Sequence, residues 1–171
     1  MKYIAFRFLL LSLVALAGFS CKDDYKYNDL FQDNRPAVPV TFAEATTYGG
    51  NPYIFSSLAA GGPITFTVTI PASSGRTIKE ITRIVGGATG INPGTLSSAT
   101  ATSAYNAAPI AGTGTTVVFT TTIAAFKAKY PSVSIVPVAL PNFTELAFLF
   151  LVTLDDNTQI VTEQVRVRVV A

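Results

Sequence analysis

Histidine and tryptophan are absent from this 171-residue chain, and it holds a single cysteine, Cys21. Without an imidazole, a serine or cysteine nucleophile lacks its usual base, so triad hydrolysis is excluded. With one cysteine no intrachain disulfide can form, and without His or further Cys ligands a zinc site is excluded as well. Charge is scarce too: 12 basic and 10 acidic residues make up 13% of the chain. Two of the basic residues, Lys2 and Arg7, fall in the first seven positions, and the remainder is balanced. No basic stripe exists to neutralise phosphates, which excludes nucleic acid as a partner.

The carboxylates offer little chemistry of their own. Glu44, Glu80, Glu145 and Glu163 are scattered, with no spacing that pairs two of them across a cleft as glycoside hydrolysis requires. Asp155-Asp156-Asn157 has oxygens for Ca2+, but a calcium loop supplies more ligands at alternating positions, and these residue types are what tight turns use. No catalytic residue, metal site or cofactor is therefore expected, and the protein reads as a non-enzyme. The rival from another class is a small hydrolase working with carboxylates alone.

What is abundant is Thr, Val, Ile, Ala and Phe, with Gly and Pro as punctuation, the composition of an all-β protein. The first 20 residues differ from the rest. Two positive charges, an apolar run over residues 8–19 and small residues at its end form a secretory signal too short to span a bilayer comfortably. Ala15-Leu16-Ala17 fits ordinary signal peptidase, whereas Gly18-Phe19-Ser20-Cys21 is a relaxed lipobox. The lone thiol decides for the second. In an exported chain an unpaired cysteine is exposed to oxidation, and a thioether-linked lipid explains both its presence and its position. Cys21 is thus the expected lipidation site and the first residue of the mature protein.

This lipobox resembles those of Bacteroidota lipoproteins, and Lys22-Asp23-Asp24 is similar to the short Lys-acidic-acidic signal that directs lipoproteins of that phylum to the cell surface. The resemblance implies an outer-membrane lipoprotein facing the cell exterior, with the periplasmic face as the alternative. Each buried methylene contributes about 0.8 kcal/mol, so the three acyl chains implied by the resemblance hold firmly. Residues 21–36 then read as a lipid-anchored tether, because charge, Asn and Gln dominate without apolar periodicity.

From residue 37 to residue 171 apolar side chains recur at alternate positions, which predicts strands with one buried face. Val38, Val40 and Phe42 begin the pattern, and Ile64, Phe66, Val68 and Ile70 alternating with threonines are its clearest case. Residues 77–85 carry Ile78 and Ile81 at helical spacing, yet the β-branched content and the alternation Ile81, Arg83, Val85 favour a strand. Residues 115–122 continue the series. Residues 123–130, with Ile123, Phe126 and Tyr130 spaced helically before Pro131, predict one short helix. Residues 145–154, a turn at 155–157 and residues 158–170 predict a long C-terminal hairpin. Residues 147–152 are apolar on both faces, so an internal segment is expected to cover the outer side of that strand.

GPITFTVTIP and LFLVTLDDNTQIVTEQVRVRVV resemble the immunoglobulin-like domains of Bacteroidota surface lipoproteins. The resemblance implies an antiparallel β-sandwich over residues 37–171, without the Cys and Trp hallmarks of antibody domains and without transferable functional residues. Residues 86–114 are small and polar and too long for a plain connection, so they hold either edge strands around residues 94–104 or a functional loop. Tyr48 and Tyr53 flank the turn Gly49-Gly50-Asn51-Pro52 and are the candidate ligand-binding residues. The expected role is an interaction or scaffolding module for a glycan, a protein or the envelope, held to the membrane by its lipid. A purely structural envelope lipoprotein is the remaining option.

Overall fold

The threonine-alternating stretch forms strand β3 (Pro63–Thr69), and Ile64, Phe66 and Val68 are fully buried beneath it. The computed structural model describes residues 36–47, 50–136 and 141–171, which belong to one compact unit spanning residues 36–171. The leader, Cys21 and Lys22-Asp23-Asp24 lie outside the described residues, as does Tyr48. The described body is mostly strand.

Strands β1 (Thr41–Phe42) and β2 (Tyr53–Ser57) precede β3; β4 (Ile78–Gly87), helix α1 (Pro93–Ser98), β5 (Ile110–Ala111), β6 (Thr116–Thr122), helix α2 (Ile123–Lys129), β7 (Thr144–Leu154), β8 (Gln159–Val161) and β9 (Val165–Val170) follow it. A three-stranded sheet has the order β1-β3-β6, and a larger one the order β2-β9-β7-β4-β5, with β8 also on β7. Their inner faces share one core. Phe66 and Phe119 from the small sheet meet Phe148 and Phe150 from the large one, with ring centroids 5.6–5.9 Å apart in edge-to-face geometry.

The C-terminal hairpin is present but broken. β8 pairs with Leu151–Thr153 and β9 with Thr144–Phe148, so the returning chain is interrupted where Thr162 is buried, exchanging hydrogen bonds with Phe150. The turn between β7 and β8 works as turn chemistry: Asn157 adopts φ +65°, and Arg76 pairs with Asp155 at 2.9 Å and Asp156 at 2.5 Å.

Three sequence expectations need correction. The sandwich is not wholly antiparallel, because β2 runs parallel to β9, Tyr53 opposite Arg166 and Phe55 opposite Arg168. Among the described residues there are two α-helices rather than one. The edge strand within residues 86–114 is β5, at Ile110–Ala111, not around residues 94–104; α1 runs there instead, because the Asn92 side chain accepts from the Thr95 N–H, the Thr95 hydroxyl accepts from the Asn92 N–H, and Pro93 opens the first turn. Helix α1 supplies the cover expected over β7. Leu96, 1% exposed, packs with Ala99 on Val85 and Leu149, and Ile91 and Leu151 border the cluster.

Strand β4 resolves the helix-or-strand ambiguity of residues 77–85. Register shifts between Ile78 and Glu80 and between Ile81 and Arg83 let Ile78, Ile81 and Ile84, three residues apart, all enter the core from a strand. Those two irregularities also turn Val85 to the outer cluster.

Candidate functional site

The surface built around Tyr53 begins with the five residues of β2. Ile54 packs on the core and Ser56, 3% exposed, donates its hydroxyl to the Pro63 carbonyl at 2.7 Å. Alternation then turns Tyr53 and Phe55 outward. Phe55 is 53% exposed, and its ring meets Tyr53 edge-on at 5.6 Å.

Parallel pairing with β9 brings Arg166 and Arg168 to the same outer face. The Arg168 guanidinium carbon lies 3.6 Å from the Tyr53 ring centre and 4.3 Å from that of Phe143, so the cation is enclosed by aromatics. Glu145 on β7 fixes both arginines. It accepts from Arg166 Nη1 at 2.7 Å and from Arg168 Nε at 3.1 Å, and its side chain is only 17% exposed. Gln164 continues this ladder: its Oε1 accepts from Arg166 Nε, and its Nε2 donates to the Thr89 and Ile91 carbonyls ahead of α1.

Beside this face, a cleft of about 390 Å³ opens between the two sheets, lined by Glu44, Thr46, Tyr53, Ile54, Phe55, Pro63 and Thr65. The cleft arises because the chain leaves the small sheet after β1 and crosses to begin β2 in the large one. Glu44 sits in the crossing. Its carboxylate accepts from the Thr67 N–H at 2.8 Å and from the Thr67 hydroxyl. Burial works to raise its pKa, but the bonds from the Thr67 hydroxyl, the Thr67 N–H and its own N–H prevail and hold it below the ordinary value of 4.5. Glu44 forms no ion pair among the described residues.

Two strand edges face this opening. Even-numbered residues of β2 bond to β9, as the Pro52 carbonyl accepting from Arg166 and the Leu58 N–H donating to Val170 show, so Phe55 turns its main chain the other way. Even-numbered residues of β3 likewise bond to β6 or its flanks, through Gly62 with Ile123 and Ile70 with Thr115, which turns Thr65 toward β1. β1 reaches only Thr69 and Val68. Phe55 and Thr65 therefore keep unpaired main-chain groups at the cleft, as far as the described residues go. Protein-family models, curated proteins and solved structures yield no match to this chain.

Of the two tyrosines singled out from sequence, Tyr53 takes part in both surfaces, stacked under Arg168 on one and lining the cleft on the other. Sequence reasoning missed Phe55, Phe143 and the pair of arginines, and took Glu44 only as one of four scattered carboxylates. Arg166 and Arg168 were visible only as the polar side of an alternating strand, and nothing local indicates which aromatic rings a distant β2 brings to them. The four glutamates stand apart in role: Glu44 bonds Thr67, Glu80 accepts from the Thr82 hydroxyl at 3.1 Å, Glu145 holds two arginines, and Glu163 is exposed between β8 and β9.

Proposed function

We propose that this chain is a Bacteroidota lipoprotein, anchored in the outer membrane through lipid on Cys21, directed to the cell surface by Lys22-Asp23-Asp24, and carrying a non-catalytic immunoglobulin-like interaction module. The leader, the lone cysteine and the polar tether support the anchoring. Strand order supports the immunoglobulin-like reading. Labelled in chain order, with β8 and β9 as one broken strand, the sheets run A-B-E and A′-G-F-C-C′.

The observation that carries the interaction role is Phe55, a large apolar side chain more than half exposed beside an unpaired strand edge and an aromatic-enclosed arginine. Exposed apolar area rimmed by polar groups marks contact surfaces.

Three measurements test the reading. Mass spectrometry of the mature N-terminus is expected to show acylated Cys21, and an unmodified start at Gly18 refutes the anchor. A photo-crosslinking residue at position 55 in whole cells is expected to form adducts that one at exposed Val118, on the other sheet, does not; equal labelling or none refutes the module. Shaving of intact cells by protease is expected to remove the domain, and protection refutes surface display.

A further inference from the structure

The cleft between β2 and β3 has the donor and acceptor set of a small polyhydroxylated ring. Resting on the interaction-module reading, we propose that it binds one or two residues of a neutral saccharide, with Glu44 accepting from ring hydroxyls, the main-chain groups of Phe55 and Thr65 supplying a donor and an acceptor each, and the Phe55 ring forming an apolar platform.

Four observations converge. Glu44 is the charged group of the lining; both its oxygens are oriented by Thr67, and a carboxylate oxygen has capacity for more than one bond. Charge-assisted bonds of this kind are about twice as strong as neutral ones. Thr46 and Thr65 add hydroxyls to the wall. The spacing of the two walls is fixed, because the Ser56 hydroxyl, behind the lining, ties β2 to the Pro63 carbonyl at 2.7 Å. The volume, about 390 Å³, lies near the lower end of small-ligand sites, roughly 300–1,000 Å³.

An extended peptide adding to the sheet is the competing occupant, and the edge is too short for it. Strand addition needs alternate residues with free main-chain groups in succession. On β2, Tyr53 is already paired with Thr46, and the Ser57 carbonyl accepts from Gly62 and Ala60, which leaves Phe55 alone between them. A single free residue suits a ring better than a strand.

The absence of tryptophan makes the test clean. Phe55→Trp places the chain's sole indole on the cleft, and the full purified chain in detergent is titrated with maltose, cellobiose, xylobiose and chitobiose. At least one sugar is expected to shift the emission saturably, with a Kd of about 1 mM or tighter, and Glu44→Gln in the same background is expected to weaken it about tenfold or more. Val118→Trp, on the outer face of the other sheet, is expected not to respond. Calorimetry on the chain with Phe55 intact, using the same four sugars, separates true binding from an effect of the indole. No saturable response in either measurement overturns the saccharide assignment, as does a response only to a capped Thr-Val-Lys-Val-Thr peptide. Crosslinking at position 55 with a negative sugar titration leaves the interaction module standing and removes its ligand class; loss of both removes the module.

Discussion

Replacing Leu96 by Ala is the sharpest test of how the large sheet is built. Leu96 is 1% exposed and bridges α1 to Val85 and Leu149 on the outer face of β4 and β7. Truncating a buried leucine costs about 2–5 kcal/mol, the larger values going with cavities that cannot collapse. Here the cover is a six-residue helix with exposed residues on its far side, so it can settle onto the sheet, and the lower part of the range, about 2–3 kcal/mol, applies. For a domain of this size that is a drop in Tm of about 6–12 °C. Circular dichroism melts and urea titrations of the two proteins measure it, with an unchanged m-value expected. Ser97→Ala, on the exposed side of α1, serves as the control and is expected to change stability by less than about 0.5 kcal/mol. If Leu96→Ala behaves like that control, α1 is not what shields β7, and the account of its two-sided apolar sequence fails.

Other substitutions probe the core and the charged face. A Cβ at Gly86 would stand 2.8 Å from the Tyr130 ring and 2.9 Å from that of Phe126, so Gly86→Ala is expected to lose about 1–3 kcal/mol in a urea melt. Tyr130→Phe removes the acceptor for the buried Gly86 N–H, 3.0 Å away, at a cost of about 1–3 kcal/mol in the same assay. Burial pushes the Tyr130 pKa above 10.0, with the Gly86 bond opposing and Tyr105 adding to the rise. That contribution to stability is present below pH 10 and lost as pH rises through the folded value, so urea midpoints followed into alkali are expected to fall more steeply for the parent than for Tyr130→Phe. Glu145→Gln leaves Arg166 and Arg168 without their shared counter-charge; with all three side chains less than a third exposed, a loss of about 1–2 kcal/mol is expected, shrinking at high salt.

Much of the fold was legible because its information is local. In β3 and β9 every second residue is apolar, and the pleat converts that period directly into a buried face. Helix α2 announced itself through Ile123 and Phe126 and the stop at Pro131. Helix α1 did not, because six residues with one buried apolar side chain carry no periodicity; its signal was the cap, Asn92 followed by Pro93 and Thr95. The core spacing of β4 misled for a different reason, since its bulges replace a period of two by steps of three. The candidate site was least legible. Tyr53 stands out in the sequence, but its meaning depends on Arg168 and Phe143, which arrive through a parallel pairing that no turn specifies.

That parallel pairing also bears on how the domain assembles. β9 is gripped on one side by β7, separated from it in sequence only by β8, and on the other by β2, which is made near the opposite end of the domain. Long-range pairings of this kind form slowly, since loop closure precedes any gain from contact. β2 therefore gains its strand partner only once β9 is in place, and the surface around Phe55 depends on that long-range pairing. A chain that lacks this pairing keeps its central strands but does not bring Tyr53 under Arg168.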